Sequence, residues 1–358
     1  MSILKEYLER INNNQIDLET ELRNIISEYN KIRKTNLLVY VSNFNPQVPS
    51  LINIQDYYYL KDLIDEVPKG DLDFYIETPG GIAEIAEDIV KYLHSEFDKV
   101  SFVICGEAKS AGTIMAMSAN EIMMTKTGSL GPIDAQINTS NGFISAYDFL
   151  DWYDEIKKEK RLSKADEIII NKINPGELTS IKNSLDYCSE LVKDWLIKYQ
   201  DYGERKAKQI SEELINHKKW HTHNRSLKID DLRNIGLNIT SLDDNKELET
   251  LVYKINLLCR LIFNTTKTYK IFSSQNVTIT LKAEINNNIP DIVDIKHKCP
   301  KCGKEVIFYA KLKDKDFNIN NKLPLPKDNI YKCECGEVLN LTNIINDIEQ
   351  QFNTKIIK

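Results

Sequence analysis

The chain has 358 residues, 42% of them apolar and 28% charged, a balance that admits a packed core and argues against global disorder. A formal net charge of −6 argues against a protein whose main task is to coat nucleic acid. At roughly 150 residues per domain the length suggests about two domains. Met1 to Lys34 mixes charges with Leu and Ile and has no apolar core of signal-peptide length. No run approaches the ~20 apolar residues of a membrane span, so the expectation is a soluble, cytoplasmic protein with no membrane partner.

Leu4, Leu8, Ile11, Leu18, Leu22, Ile25 and Ile26 recur at helical spacing, giving two short amphipathic helices broken near Asn12-Asn13-Asn14. Such helices pack on the core or on another subunit, the core being the commoner outcome. Leu37 to Val41 is an apolar run before Asn45-Pro46 and reads as a buried strand. The helix from Tyr57 to Val67 stops before Pro68-Lys69-Gly70. Strand 72–76, helix 82–96, strand 100–105, helix 111–119 and strand 121–125 follow. Strands alternating with helices specify the α/β class, a mostly parallel sheet covered on its faces.

A charged helix runs from Ala146 to Lys160, and Asn174-Pro175-Gly176 breaks the chain before a long helix over about Leu178 to Tyr199. Helices at 204–216 and 245–263 come next. Composition shifts after Asn264: residues 269–285 read as strand, and 286–358 are rich in Asn and Lys and hold a cysteine cluster. The expected division is therefore a helical segment 1–35, an α/β domain 36–264 and a C-terminal domain 265–358.

Two strand-to-helix corners carry the chemistry. Glu77-Thr78-Pro79-Gly80-Gly81 follows the apolar run 72–76, and Ala108-Lys109-Ser110-Ala111-Gly112-Thr113 follows the run 100–104. A Ser among small residues at a cramped corner exposes its Oγ, and Gly-Gly at a second helix start offers free backbone N–H groups to an oxyanion. Each has a plainer reading: Ser110 as an ordinary N-cap, Gly80-Gly81 as a turn that needs positive φ.

With Asn43-Phe44-Asn45-Pro46, Leu130-Gly131-Pro132-Ile133-Asp134-Ala135-Gln136-Ile137 and Trp220-His221-Thr222-His223, the two corners form an ordered set across roughly residues 36 to 240. That set resembles the Clp/crotonase-fold serine peptidases, and among them the signal-peptide-peptidase-A-like SDH-type (serine dehydrogenase) proteinases. The resemblance implies a Clp/crotonase-like fold, Ser110 as nucleophile, and the amides of Gly81 and Ala111 as an oxyanion hole. Each such donor is typically worth ~3 kcal/mol of transition-state stabilisation. The segment Gly131-Pro132-Ile133-Asp134 has no His where Clp peptidases carry their base, which points to the Ser-Lys variant. A lysine base must be neutral, a state reached by desolvation.

Lys182, between Ile181 and Leu185 near the start of the long helix, is the leading candidate base; its plainer reading is a solvated helix face. His223 is the alternative base or else a loop histidine, and Lys172 and the 157–160 cluster follow. Lys109 adjoins the nucleophile but points away if Ser110 points inward. Relatives of this fold close their sites by oligomerising, so a homo-oligomer is implied.

Of seven cysteines, Cys105, Cys188 and Cys259 stand alone in apolar surroundings, as reduced core cysteines do. The other four form Cys299-Pro300-Lys301-Cys302-Gly303 and Cys333-Glu334-Cys335-Gly336. Two Cys-Gly knuckles read as a zinc ribbon over about 296–340 with Cys299, Cys302, Cys333 and Cys335 binding a structural Zn2+. The Cys-x-Cys spacing of the second knuckle departs from the usual two-residue spacer. His94 and His297 read as bystanders. The ribbon docks a partner, substrate or nucleic acid, or only stabilises a small domain, and its Lys residues are balanced by enough Asp and Glu to make nucleic acid the minor reading. The expected function is a serine peptidase acting on a peptide or protein substrate. The rivals are an inactive adaptor that binds partners through the ribbon and an acyl-CoA enzyme on the same fold.

Overall fold

The structure is a computed structural model that describes residues 2–139, 142–158, 163–170, 175–222, 224–283, 290–313, 322–352 and 354–357. Lys172 and His223 lie outside the described residues. The chain divides into two compact units, Met1–Ala283 and Glu284–Lys358.

In the first unit, helices α1 (Ile3–Asn12) and α2 (Leu18–Arg33) precede strand β1 (Asn36–Ser42). Asp17 caps α2 by accepting from the Thr20 amide, and Lys34 ends it at φ 60°. Then come α3 (Ile54–Asp65), β2 (Asp71–Glu77), α4 (Ala83–Glu96), β3 (Lys99–Ile104), β4 (Glu107–Ala108), α5 (Ala111–Met117), β5 (Glu121–Met124) and β6 (Ser129–Leu130). A hairpin of β7 (Gln136–Thr139) and β8 (Gly142–Ser145) leads to helices α6 (Ala146–Lys158), α7 (Lys164–Ile170), α8 (Pro175–Gln200), α9 (Glu204–Ile215), α10 (His217–Trp220) and α11 (Ile229–Asn234). Strand β9 (Ile239–Ser241), helix α12 (Lys246–Thr265) and strands β10 (Thr268–Ser273) and β11 (Thr278–Lys282) complete the unit.

Seven strands form one sheet in the order β11-β10-β1-β2-β3-β5-β9. The neighbours from β1 to β9 are parallel, and β10 and β11 close one edge antiparallel. Strand side chains alternate between faces, so each strand feeds two cores. Leu38 and Tyr40 of β1 join the core made with α3, α4, α5, α8 and α9, whereas Leu37, Val39 and Val41 join the core under α2 and α12. Both faces are covered, as parallel pairing requires.

This pairing moves the expected domain boundary. Val41 pairs with Ile271 and Tyr40 with Phe272, and both partners on β10 are fully buried, so residues 268–282 belong to the α/β unit and not to the segment that follows Asn264. The compositional shift therefore falls inside this unit, which runs to Ala283. Helices α1 and α2 likewise belong to this unit: Leu22, Ile25, Ile26 and Tyr29 are buried with residues of α12.

In the second unit, β12 (Ile292–Lys298), β13 (Glu305–Lys311) and β14 (Leu323–Pro324) form a small sheet. Strands β15 (Ile330–Lys332) and β16 (Val338–Asn340) pair antiparallel before α13 (Thr342–Phe352). Its core gathers Ile295, Val306, Phe308, Leu341, Ile345 and Ile348. Among the described residues no helix is long and apolar enough to cross a membrane.

Candidate active site

The two corners meet at the carboxyl ends of β2 and β3. Beyond the sheet proper, Thr78 and Ala108 form a parallel bridge in which the Thr78 amide donates to the Glu107 carbonyl and the Lys109 amide to the Thr78 carbonyl, both at 2.9 Å. This bridge sets the Gly-Gly turn beside Ser110. A Cβ on Gly80 would lie 2.7 Å from the Ser110 Cβ and 2.9 Å from the Lys109 carbonyl oxygen, so only glycine permits the approach. Gly80 also has φ 105°.

Ser110 sits at φ 50°, ψ −116°, immediately before α5, and its side chain makes no capping hydrogen bond. An ordinary N-cap has extended backbone and accepts an amide two or three residues on. Ser110 does neither. A non-glycine residue held in such a region costs on the order of 1–3 kcal/mol, which the surroundings must over-determine. They do so here: α5 is buried along its whole length, and the Thr113 hydroxyl lies 2.8 Å from the Ala108 carbonyl and 3.0 Å from that of Gly131, and accepts the Gly131 amide at 2.9 Å. Strained serine turns of this kind thrust Oγ clear of the sheet.

Gly81 is clamped from the other side. The Ile52 amide donates to the Gly80 carbonyl at 2.8 Å and the Ile82 amide to the Ile52 carbonyl at 3.0 Å. A Cβ on Gly81 would fall 2.3 Å from the Ile52 nitrogen. Among the described residues, no hydrogen bond engages the amide of Gly81 or of Ala111. The residues expected to form the nucleophile and oxyanion corners are thus brought together, with two backbone donors uncommitted beside a half-buried serine.

Lys109 turns into the protein. Its Nζ donates to Ser226 Oγ at 2.9 Å and the Arg225 carbonyl at 3.3 Å, with Ser129 Oγ and the Leu130 carbonyl at 3.4 Å. Burial lowers its pKa, opposed by Glu107 at 3.9 Å. Lys109 therefore ties the nucleophile corner to the 129–130 and 225–227 segments, which are themselves joined by a Leu130–Leu227 bridge. Asp134, in the loop that lacks a histidine, is buried and accepts from the Ser145 hydroxyl at 2.9 Å.

The candidate base is placed differently. Lys182 is on α8 and exposed, so the described residues of the chain do not give it the desolvation that a neutral lysine needs. Trp220 is buried and donates Nε1–H to the Glu213 carbonyl at 2.6 Å, while His221 next to it is exposed at φ 65°. His94 stacks on Tyr199 at 3.7 Å with its pKa lowered to about 4 by burial, a packing residue.

Sequence reasoning missed a carboxylate network behind the corners. Glu77, the last residue of β2, is buried with Tyr75 and Asn256 hydrogen-bonded to it, and Arg260 donates to Oε2 at 3.2 Å. Burial raises the Glu77 pKa, with Arg260 pulling the other way. The signal available was Asn256 and Arg260, polar residues four apart on the otherwise apolar face of helix 245–263.

In the second unit the four clustered cysteines converge. Their sulfurs all lie within 4.8 Å of one another, with Cys299–Cys335 and Cys302–Cys333 each at 3.7 Å. A tetrahedron of sulfurs about 2.3 Å from a central ion has edges near ~3.8 Å, so the set is the right size for a four-thiolate metal site. Gly303 and Gly336, which close the two knuckles, both take positive φ (72° and 87°), so the shorter Cys-x-Cys spacer still turns as the first knuckle does.

Residues 20–260 match the family described as ClpP-like SDH-type serine proteinase, and the chain belongs to that family. Two curated relatives are uncharacterized proteins of Methanocaldococcus jannaschii. MJ1495 is 31% identical over 50% of this chain and 56% of its own length, and MJ0137 is 27% identical over 55% and 63%. The chain thus matches less than two thirds of the length of either. Among solved structures, the 1510-N membrane-bound stomatin-specific protease is 18% identical over 61% of this chain and 84% of that one, with a TM-score of 0.37. The ClpP protease catalytic domain of Plasmodium falciparum is 12% identical over 60% and 89%, with a TM-score of 0.32. Both structural likenesses are distant.

Proposed function

We propose that this chain is a serine peptidase in which Ser110 attacks a peptide carbonyl. The amides of Gly81 and Ala111 receive the oxyanion. The peptide C–N bond breaks and the protonated amine half leaves as an acyl-enzyme forms on Oγ. Water then hydrolyses that ester to release the acid half and restore the Ser110 hydroxyl. The observation that carries this reading is the strained, uncapped backbone of Ser110 beside Gly80-Gly81. Membership of the family supports it. Lys182 is the proposed general base of a Ser-Lys dyad. Lys182 is exposed among the described residues, and we propose that substrate or a second copy covers it in a cytoplasmic homo-oligomer acting on peptides. The four cysteines are proposed to hold a structural Zn2+, which would fix the fold of the second unit and supply no step of the reaction.

Fluorophosphonate labelling tests the nucleophile. The wild type is expected to label on Ser110 and Ser110→Ala to stay unlabelled. Labelling that persists in the variant would exclude Ser110, and no labelling of the wild type would favour the inactive adaptor.

A further inference from the structure

The clamp on the Gly-Gly turn has an anchor of its own, buried beneath it. Lys270 of β10 and Asp56 of α3 form an ion pair at 2.7 Å in which both side chains are wholly inaccessible to solvent. The Lys270 ammonium also donates to the Leu51 carbonyl at 2.8 Å. Asp56 accepts the Asn53 amide at 2.9 Å and the Tyr40 hydroxyl at 3.1 Å. Leu51 and Asn53 flank Ile52, so the pair holds the chain on both sides of the residue that holds Gly80 and Ile82.

A buried ion pair is weak evidence for stability, because desolvation offsets its attraction and apolar replacements are often as stable. Helix capping accounts for Asp56 alone, not for a lysine brought in from strand β10, on the face of the sheet that α3 covers. What the lysine adds is the hydrogen bond to the Leu51 carbonyl. In an extended segment successive amides point to opposite sides. With the Ile82 amide spent on Ile52, that of Gly81 is directed away from the clamp. A shift of Ile52 would carry Gly81 with it, and a misplacement near 1 Å in a catalytic group can cost ~100-fold in rate.

We infer that Lys270 and Asp56 are positioning residues for the oxyanion donor, acting through Leu51, Ile52 and Asn53 on the amide of Gly81. This rests on the reading of Gly81 as that donor. Lys270 lies beyond residues 20–260, so the antiparallel strand added after the family-matched segment supplies the anchor.

The test is the full-length double variant Asp56→Asn/Lys270→Met. Asn keeps an acceptor for the Asn53 amide and Met fills the lysine stem, so no lone charge is left buried. The unfolding midpoint should stay within a few degrees of wild type. Hydrogen exchange of the Ile52 and Ile82 amides should quicken at least tenfold, and kcat for peptide hydrolysis should fall ~10–100-fold with KM within about twofold. Unchanged exchange overturns the inference, as does faster exchange with unchanged kcat. A wild type that hydrolyses no peptide defeats the peptidase reading by itself, and exchange at Ile52 and Ile82 then decides the clamp alone. If the double variant does not fold, Asp56→Asn/Lys270→Gln is read by the same two measurements.

Discussion

Replacing Ser110 by Ala and by Gly separates strain from chemistry. Both variants lose Oγ, so both should lose fluorophosphonate labelling and peptide hydrolysis. They differ in one atom, the Cβ that makes φ 50°, ψ −116° unfavourable. Removing it should recover the ~1–3 kcal/mol of strain, set against the ~0.5–1 kcal/mol that glycine's greater freedom in the unfolded chain costs. Ser110→Gly is therefore expected to be at least as stable as Ser110→Ala, by a margin of about 0–2.5 kcal/mol. At roughly 2–4 °C per kcal/mol for a unit of this size, that is a rise of up to about 10 °C in melting temperature. Tryptophan fluorescence reports the right unit, because Trp152, Trp195 and Trp220 all lie before residue 284. A Gly variant less stable than the Ala variant would show that Ser110 is not strained in the folded protein, and the geometric basis for a nucleophile elbow would be lost.

Three further outcomes follow from the same geometry. Burial raises the Glu77 pKa above its ordinary 4.5, so the folded state keeps a proton that the unfolded state has released, and stability falls as pH rises from about 4.5 toward the folded value. Glu77→Gln should remove that decline in melting curves recorded from pH 4 to 8; parallel curves for the two proteins would refute it. Cys302→Ser should lose the zinc that metal analysis finds at about one ion per wild-type chain, with exchange quickening in residues 290–313; equal zinc content would exclude the four-cysteine site. Lys182→Met should lower kcat by 10²–10⁴-fold, the usual range for loss of a general base, while leaving the fold intact; unchanged kcat would move the base elsewhere.

Where the sequence misled, the cause was tertiary. The shift in composition after Asn264 looks like the start of a new domain, yet β10 and β11 finish the sheet because the open edge of β1 needs a partner for its backbone groups. Sequence periodicity cannot express that demand. Lys182 is a different case: its place on a helix is legible in the sequence, while its exposure is read only from the packing of α8. Among the described residues the buried lysines are Lys109, which lies in the marked serine corner, and Lys270, which lies in a strand with no pattern to mark it.

The sequence alone determined the alternation of strand and helix, the two glycine- and serine-bearing corners, and the four-cysteine set. Each depends on residues close together in the chain, where sterics and periodicity act locally. The tertiary structure decided that Gly80 touches Ser110, that Ser110 is strained and not a cap, and that Lys270, Asp56, Asn256 and Arg260 support the corners from behind. Those facts join residues up to about two hundred positions apart. They are fixed by the register of a parallel sheet, which sets which corner lies beside which once every strand has found its neighbour.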